Sequence, residues 1–244
     1  MIQPTTTLAE LLAALAAADH DAAREAARRL PYGSSTPALV RACVEAGDRV
    51  AAELAACRLP DGAGTIDLVR ACLAAGAEGA AEEAAYRLPY GSGTLDLVLE
   101  CLAADAERAA EMAVCRLPDG AGTIDLVLEC LAAGAHVAAK EAACRLPAGA
   151  GTIDLVLECL AAGALAAASR VAYRLPSGSA ARHADIGGYP VWSFDLDGEP
   201  WLLVGCKMHP AAEWVECAEA IDERNGSPGI ADQTRALAER LLAD

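Results

Sequence analysis

Apolar and polar positions recur along this chain with a fixed period. Six Arg-Leu-Pro triplets end at Pro31, Pro60, Pro89, Pro118, Pro147 and Pro176, each 29 residues after the last. The same order of segments runs between them: a turn, a short helix opening on Thr, a Gly break, and a second helix built on alanine pairs such as Ala138, Ala139, Ala142 and Ala143. Two helices of about ten residues cannot bury their apolar faces alone, so a period of this length predicts units that stack and share one core.

Each position in the unit has a physical reading. Pro followed by Gly at the second position (Gly33, Gly62, Gly91, Gly120, Gly149, Gly178) forms the turn, because Pro presets φ and Gly accepts a positive one. Thr36, Thr65, Thr94, Thr123 and Thr152 are expected to cap helix A. Asp67, Asp96, Asp125 and Asp154 follow two residues later, where the helix dipole favours negative charge. Gly47, Gly76, Gly134 and Gly163 break helix A, and Asp105 takes that place in one unit. Helix B ends at the Leu of Arg-Leu-Pro, since a residue before Pro is pushed out of the α region.

The expected architecture is mostly α: an α-solenoid of about six 29-residue helix-turn-helix repeats over residues 3–178, followed by a small ββαα capping module over 179–244. In period and layout the units resemble the two-helix repeats of HEAT-like and tetratricopeptide-like solenoids. The resemblance implies a protein-binding scaffold without naming a ligand. It does not extend to a Trp-Leu-Gly-Tyr signature, and the unit is shorter than is usual in either family.

The pattern changes after Pro176. All three Trp and the single Phe lie beyond it. Tyr189–Leu196 and Trp201–Lys207 read as strands joined by the hairpin signal Asp197-Gly198. Pro210 is expected to open a helix running to about Arg224, and a last helix spans about Ile230–Leu242. Trp192, Phe194, Trp201 and Trp214 are expected to cover the open end of the solenoid. Gly205-Cys206-Lys207-Met208-His209 with Glu213-Trp214 resembles a short module that closes repeat arrays in some bacterial and phage proteins, which implies a cap and a bacterial or phage origin.

Charge narrows the function. A net charge of −16 argues against nucleic-acid binding, which needs a basic stripe, and against anionic membranes. No long uncharged apolar run and no basic N-terminal leader are present, so the expectation is a soluble, cytoplasmic protein. Cys43, Cys72, Cys101, Cys130 and Cys159 recur at one helix A position, about 10 Å apart in a stack, too far for disulfides. They read as buried, reduced, small hydrophobes.

Two charged columns run along the repeats. The Arg of each triplet forms one. The other is acidic: Asp96 with Glu100, Asp125 with Glu129, Asp154 with Glu158, pairs four residues apart whose repulsion something must offset. The Arg column is the expected partner, with Arg also capping helix carbonyls. The functional alternative is an acidic stripe that recognises a basic protein segment. Tyr32 and Tyr90, at the head of alternate turns, are candidate interface anchors. The Gly-Ala-Gly-Thr segments before helix A read as linkers rather than anion loops.

The favoured function is a non-enzymatic protein- or peptide-binding scaffold that uses one face of the solenoid. Three alternatives stay open: an acidic nucleic-acid mimic that blocks a DNA-binding protein, a zinc module, and end-to-end self-assembly instead of a monomer. The zinc set would be Cys206, His209, Cys217 and His183, of ligand types zinc prefers, although only Cys206 and His209 are tightly spaced. No other cofactor is expected. No nucleophile marks His209 with Glu213 or Asp195 as catalytic.

Overall fold

The computed structural model describes residues 4–176, 181–196, 198–205, 207–224 and 230–243. It divides into two compact units, residues 1–145 and 146–244. The division falls one repeat before the change in sequence pattern, so the last helical pair belongs with the C-terminal module.

The first unit is five helical pairs: α1 (Pro4–Ala16) with α2 (His20–Arg29), α3 (Pro37–Glu45) with α4 (Arg49–Ala56), α5 (Ile66–Ala74) with α6 (Glu78–Tyr86), α7 (Leu95–Ala103) with α8 (Glu107–Cys115), and α9 (Ile124–Ala132) with α10 (His136–Cys144). The Thr caps form as the sequence predicts. Thr36, Thr65, Thr94 and Thr123 adopt extended backbone and accept from the N–H of Leu39, Leu68, Leu97 and Leu126 at 3.1–3.3 Å. Asp48 caps α4 by accepting from the N–H of Ala51, whereas α6, α8 and α10 start at Ala77, Ala106 and Ala135 with no side-chain cap.

Helix B packs against helix B of the next repeat more closely than the A helices pack on each other. The cause is side-chain size. Ala80, Ala81, Ala84 and Ala85 of α6 are fully buried, as are their counterparts in α4 and α10. The core of each A helix instead holds a Leu-Val pair and a Cys, such as Leu97, Val98 and Cys101. The B helices thus form the more tightly packed, inner row of the first unit.

The Gly-Ala-Gly-Thr segments, and Gly91–Thr94 where Ser92 stands in place of Ala, have a packing explanation. The second Gly donates to the carbonyl of the Arg that ends helix B, Gly64 to Arg87 and Gly93 to Arg116. A Cβ on Gly93 would lie 2.6 Å from the carbonyl oxygen of Ala113. The segment is a linker pressed against helix B.

The second unit begins with α11 (Ile153–Ala161) and α12 (Leu165–Ala172), with Thr152 capping α11. A four-stranded antiparallel meander follows, in spatial order β1 (Ala181–Ile186), β2 (Tyr189–Leu196), β3 (Glu199–Val204), β4 (Lys207–Pro210). The expected hairpin is therefore the middle of a larger sheet. Strand β1 lacks an apolar alternation strong enough to read from sequence, and Lys207–Pro210 is a separate strand because Gly205 turns the chain at φ 63°. Then come α13 (Ala211–Arg224) and α14 (Ala231–Ala243), close to the expected bounds.

Register sorts the sheet's side chains onto two faces. Val191, paired with Val204, and Leu202 face α13 and α14, where Trp214, Ala218, Leu237 and Ala238 complete a core. The indole of Trp214 donates to the carbonyl of Leu202 at 3.1 Å. Trp192, paired with Leu203, lies on the opposite face and meets Tyr173 of the last repeat edge to face at 5.2 Å. The expectation that all four aromatics share one covering face is corrected for Trp214, which packs beneath the sheet with the helices.

Candidate binding faces of the repeats

Arg87 and Arg145 of the Arg column pair with turn residues and not with the Asp column. Arg87, Arg116 and Arg145 each reach back about one repeat and donate to the last carbonyls of the preceding helix B: Arg87 to Cys57 at 3.4 Å, Arg145 to Cys115 at 2.9 Å, and Arg116 to Tyr86. The carbonyl-capping part of the sequence reading thus holds. The ionic partner is Asp61 or Asp119, in the turns. Arg87 meets Asp61 at 2.5 Å and Arg145 meets Asp119 at 2.6 Å.

Tyr32 and Tyr90 complete these clusters. The Tyr32 hydroxyl donates to Asp61 at 2.8 Å and accepts from Arg87 at 2.7 Å. The Tyr90 hydroxyl does the same with Asp119 at 2.8 Å and Arg145 at 2.6 Å. This explains the alternation of Tyr and Asp at the head of successive turns: the two residue types form one clamp spanning two repeats. The hydrogen bond to Asp61 raises the Tyr32 pKa, and the same bond, followed by Arg87, lowers that of Asp61. Both tyrosine rings remain exposed, but their polar ends are committed to the fold.

The acidic positions of the A helices divide. Glu100 is held by Arg70 of the preceding repeat through two bonds of 2.7 and 2.8 Å, which lower its pKa. Arg70, rather than the Arg column, offsets the Asp96–Glu100 repulsion. Asp96, Asp125 and Glu129 are exposed and make no ion pair among the described residues, with Leu99 and Leu128 exposed beside them. Asp154, Leu157 and Glu158 of α11 are likewise exposed in their own unit.

The inner row of B helices carries a second face that sequence reasoning passed over. Between α6 and α8 lies an open groove of about 280 Å³, bordered by Glu78, Glu82, Asp105 and Glu107. Between α8 and α10 lies another of about 440 Å³, bordered by Glu107, Glu111, His136 and Val137. Arg108 borders both and approaches Glu82 at 3.6 Å. The signal was in the sequence: the Glu pairs stand four residues apart in otherwise Ala-rich helices, on the side away from the buried alanines.

Within the first two repeats, buried Asp48 gathers His20 at 3.0 Å and Arg24 at 3.1 Å besides capping α4. Burial opposes its ionisation, but the Ala51 N–H, Arg24 and His20 outweigh burial and lower its pKa. The repeated Cys residues are buried, and desolvation pushes the thiols of Cys43 and Cys101 up to about 12 and those of Cys72, Cys130 and Cys159 to about 11. Such thiols are poor nucleophiles and poor metal ligands.

The proposed zinc ligands are only partly placed. Cys206 lies outside the described residues. His183 sits on β1 opposite Val191. His209 on β4 contacts Glu213 at 3.1 Å and lies edge-on to Trp214, while Cys217 is exposed on α13. Among the described residues no three His, Cys, Asp or Glu side chains form a group that could hold a metal ion. Among them, too, no helix is long and apolar enough to cross a membrane.

No known family, curated protein or solved structure matches the chain.

Proposed function

We propose that this chain is a non-catalytic helical-repeat scaffold, cytoplasmic and akin in layout to HEAT-like and tetratricopeptide-like solenoids, which binds a protein or peptide through one face of its stacked repeats. The observation that carries the reading is the pair of successive open grooves along α6, α8 and α10, one for each repeat boundary. Regular grooves on the inner side of a helical stack offer a partner the same contact at each repeat. Panning a random displayed-peptide library against the full chain tests it. The expected result is enrichment of sequences that share a motif and compete with one another; failure to enrich any competing set contradicts the scaffold reading.

One observation favours the nucleic-acid mimic as a second reading: Asp67, Asp96 and Asp125 present one exposed carboxylate per repeat on the A helices. A mimic would displace duplex DNA from a basic DNA-binding protein, and Asp67→Asn/Asp96→Asn/Asp125→Asn would abolish that displacement.

A further inference from the structure

Four glutamates stand on the inner face in like-charged pairs, Glu78 with Glu82 on α6 and Glu107 with Glu111 on α8. Carboxylates four residues apart repel within their own helix. Glu78 and Glu107 also serve the uncapped helix N-termini, but Glu82 and Glu111, a turn further on, do not. With Asp105, five carboxylates border the two grooves against one guanidinium, that of Arg108. Arg108 bridges to Glu82 at 3.6 Å yet stays 80% exposed. It lies across the grooves as a cation from outside would. The walls are small, Ala106, Ala109 and Ala138 among them, which leaves room for a long side chain to enter.

We propose that this face binds an extended, basic peptide segment of a partner protein, with a Lys or Arg side chain entering each groove. The proposal rests on the scaffold reading and specifies its face and ligand. Register follows from geometry. Helix rows about 10 Å apart meet a chain in the extended polyproline II conformation, which has three residues per turn and rises about 3.1 Å per residue, so every third side chain lies on one face at about the groove spacing. The net charge of −16 steers such a segment inward and repels anions. The A helices are less suited, because Arg70 already occupies Glu100.

The test is fluorescence anisotropy of the full chain with a labelled peptide carrying Lys at every third position among Gly and Ser, and with a peptide of equal composition whose Lys are contiguous. The spaced peptide is expected to bind more tightly, and more weakly as salt rises. Exposed pairs are individually weak, so Glu82→Gln/Glu111→Gln should cost about tenfold and Asp96→Asn/Asp125→Asn less than about twofold. Arg108→Gln should tighten binding several-fold, because it removes the internal competitor; a purely structural arginine would not give that sign. Unchanged thermal unfolding of the variants keeps lost binding apart from lost folding. Equal affinity for the two peptides, or a larger loss from the Asp96/Asp125 variant, overturns the proposal. Absence of Lys-peptide binding also overturns it, while a successful library selection would leave the scaffold reading standing.

Discussion

Arg145 anchors the best-defined clamp and gives a quantitative test of why the turns alternate. Its side chain is only 15% exposed and donates to the Cys115 carbonyl, the Tyr90 hydroxyl and Asp119. Its Nε is buried without an acceptor, which subtracts from the gain. Asp119 is 84% exposed, so its pairing energy is screened. Replacing Arg145 by Met should therefore cost about 2 kcal/mol, mostly through the stranded carbonyl and the charge-assisted bonds. Asp119→Asn should cost about 0.5 kcal/mol and Tyr90→Phe about 1 kcal/mol. Because Tyr90 and Asp119 contact each other and share Arg145, the double variant should show a coupling of at least about 0.5 kcal/mol. Arg116 caps Tyr86 and stacks on its ring without a turn carboxylate, so Arg116→Met should cost only about 1 kcal/mol. Urea unfolding followed by circular dichroism measures all of these. Equal losses at Arg145 and Arg116, or strict additivity of Tyr90→Phe and Asp119→Asn, would refute the clamp.

Four further outcomes follow from the fold. Gly93→Ala forces a methyl against the Ala113 carbonyl and should destabilise by about 1–3 kcal/mol in the same assay. Asp105 holds φ 59° where four other repeats place Gly47, Gly76, Gly134 and Gly163, so Asp105→Gly should raise stability by about 0.5–1 kcal/mol. Asp48, Asp61 and Glu100 all titrate below their ordinary values in the folded chain. Their contribution is complete above the unfolded carboxylate range near pH ~4 and is lost as pH falls through the lower folded values; a pH series should show stability declining there, less steeply in Asp48→Asn. Pulsed alkylation read by mass spectrometry should label exposed Cys217 in the native chain and spare Cys43, Cys72, Cys101, Cys130 and Cys159 until unfolding.

The repeat was legible because its punctuation is local. Thr caps, Gly breaks and Pro stops act within a few residues, and they placed helices to within a residue or two. The clamps were not legible. Tyr32, Asp61 and Arg87 are 29 and 26 residues apart, and only the stacking geometry shows that Arg87 reaches the turn instead of Asp96. Glu100 invited pairing with the Arg column, yet Arg70, one repeat back on the same row, lies closer. Strand β1 was missed because its partner fixes it: the adjacent polar residues Arg182 and His183 break the apolar–polar alternation that a strand with one buried face would show. The inner face was overlooked because Ala-rich helices look featureless, although their few charged residues mark the side that stays open.

The most direct measurement is hydrogen–deuterium exchange of the full chain with and without a peptide selected from the displayed library. The account predicts slower exchange in α6, α8 and α10, with α7 and α9 unchanged. Protection confined to α7 and α9, or to residues 181–243, would contradict it.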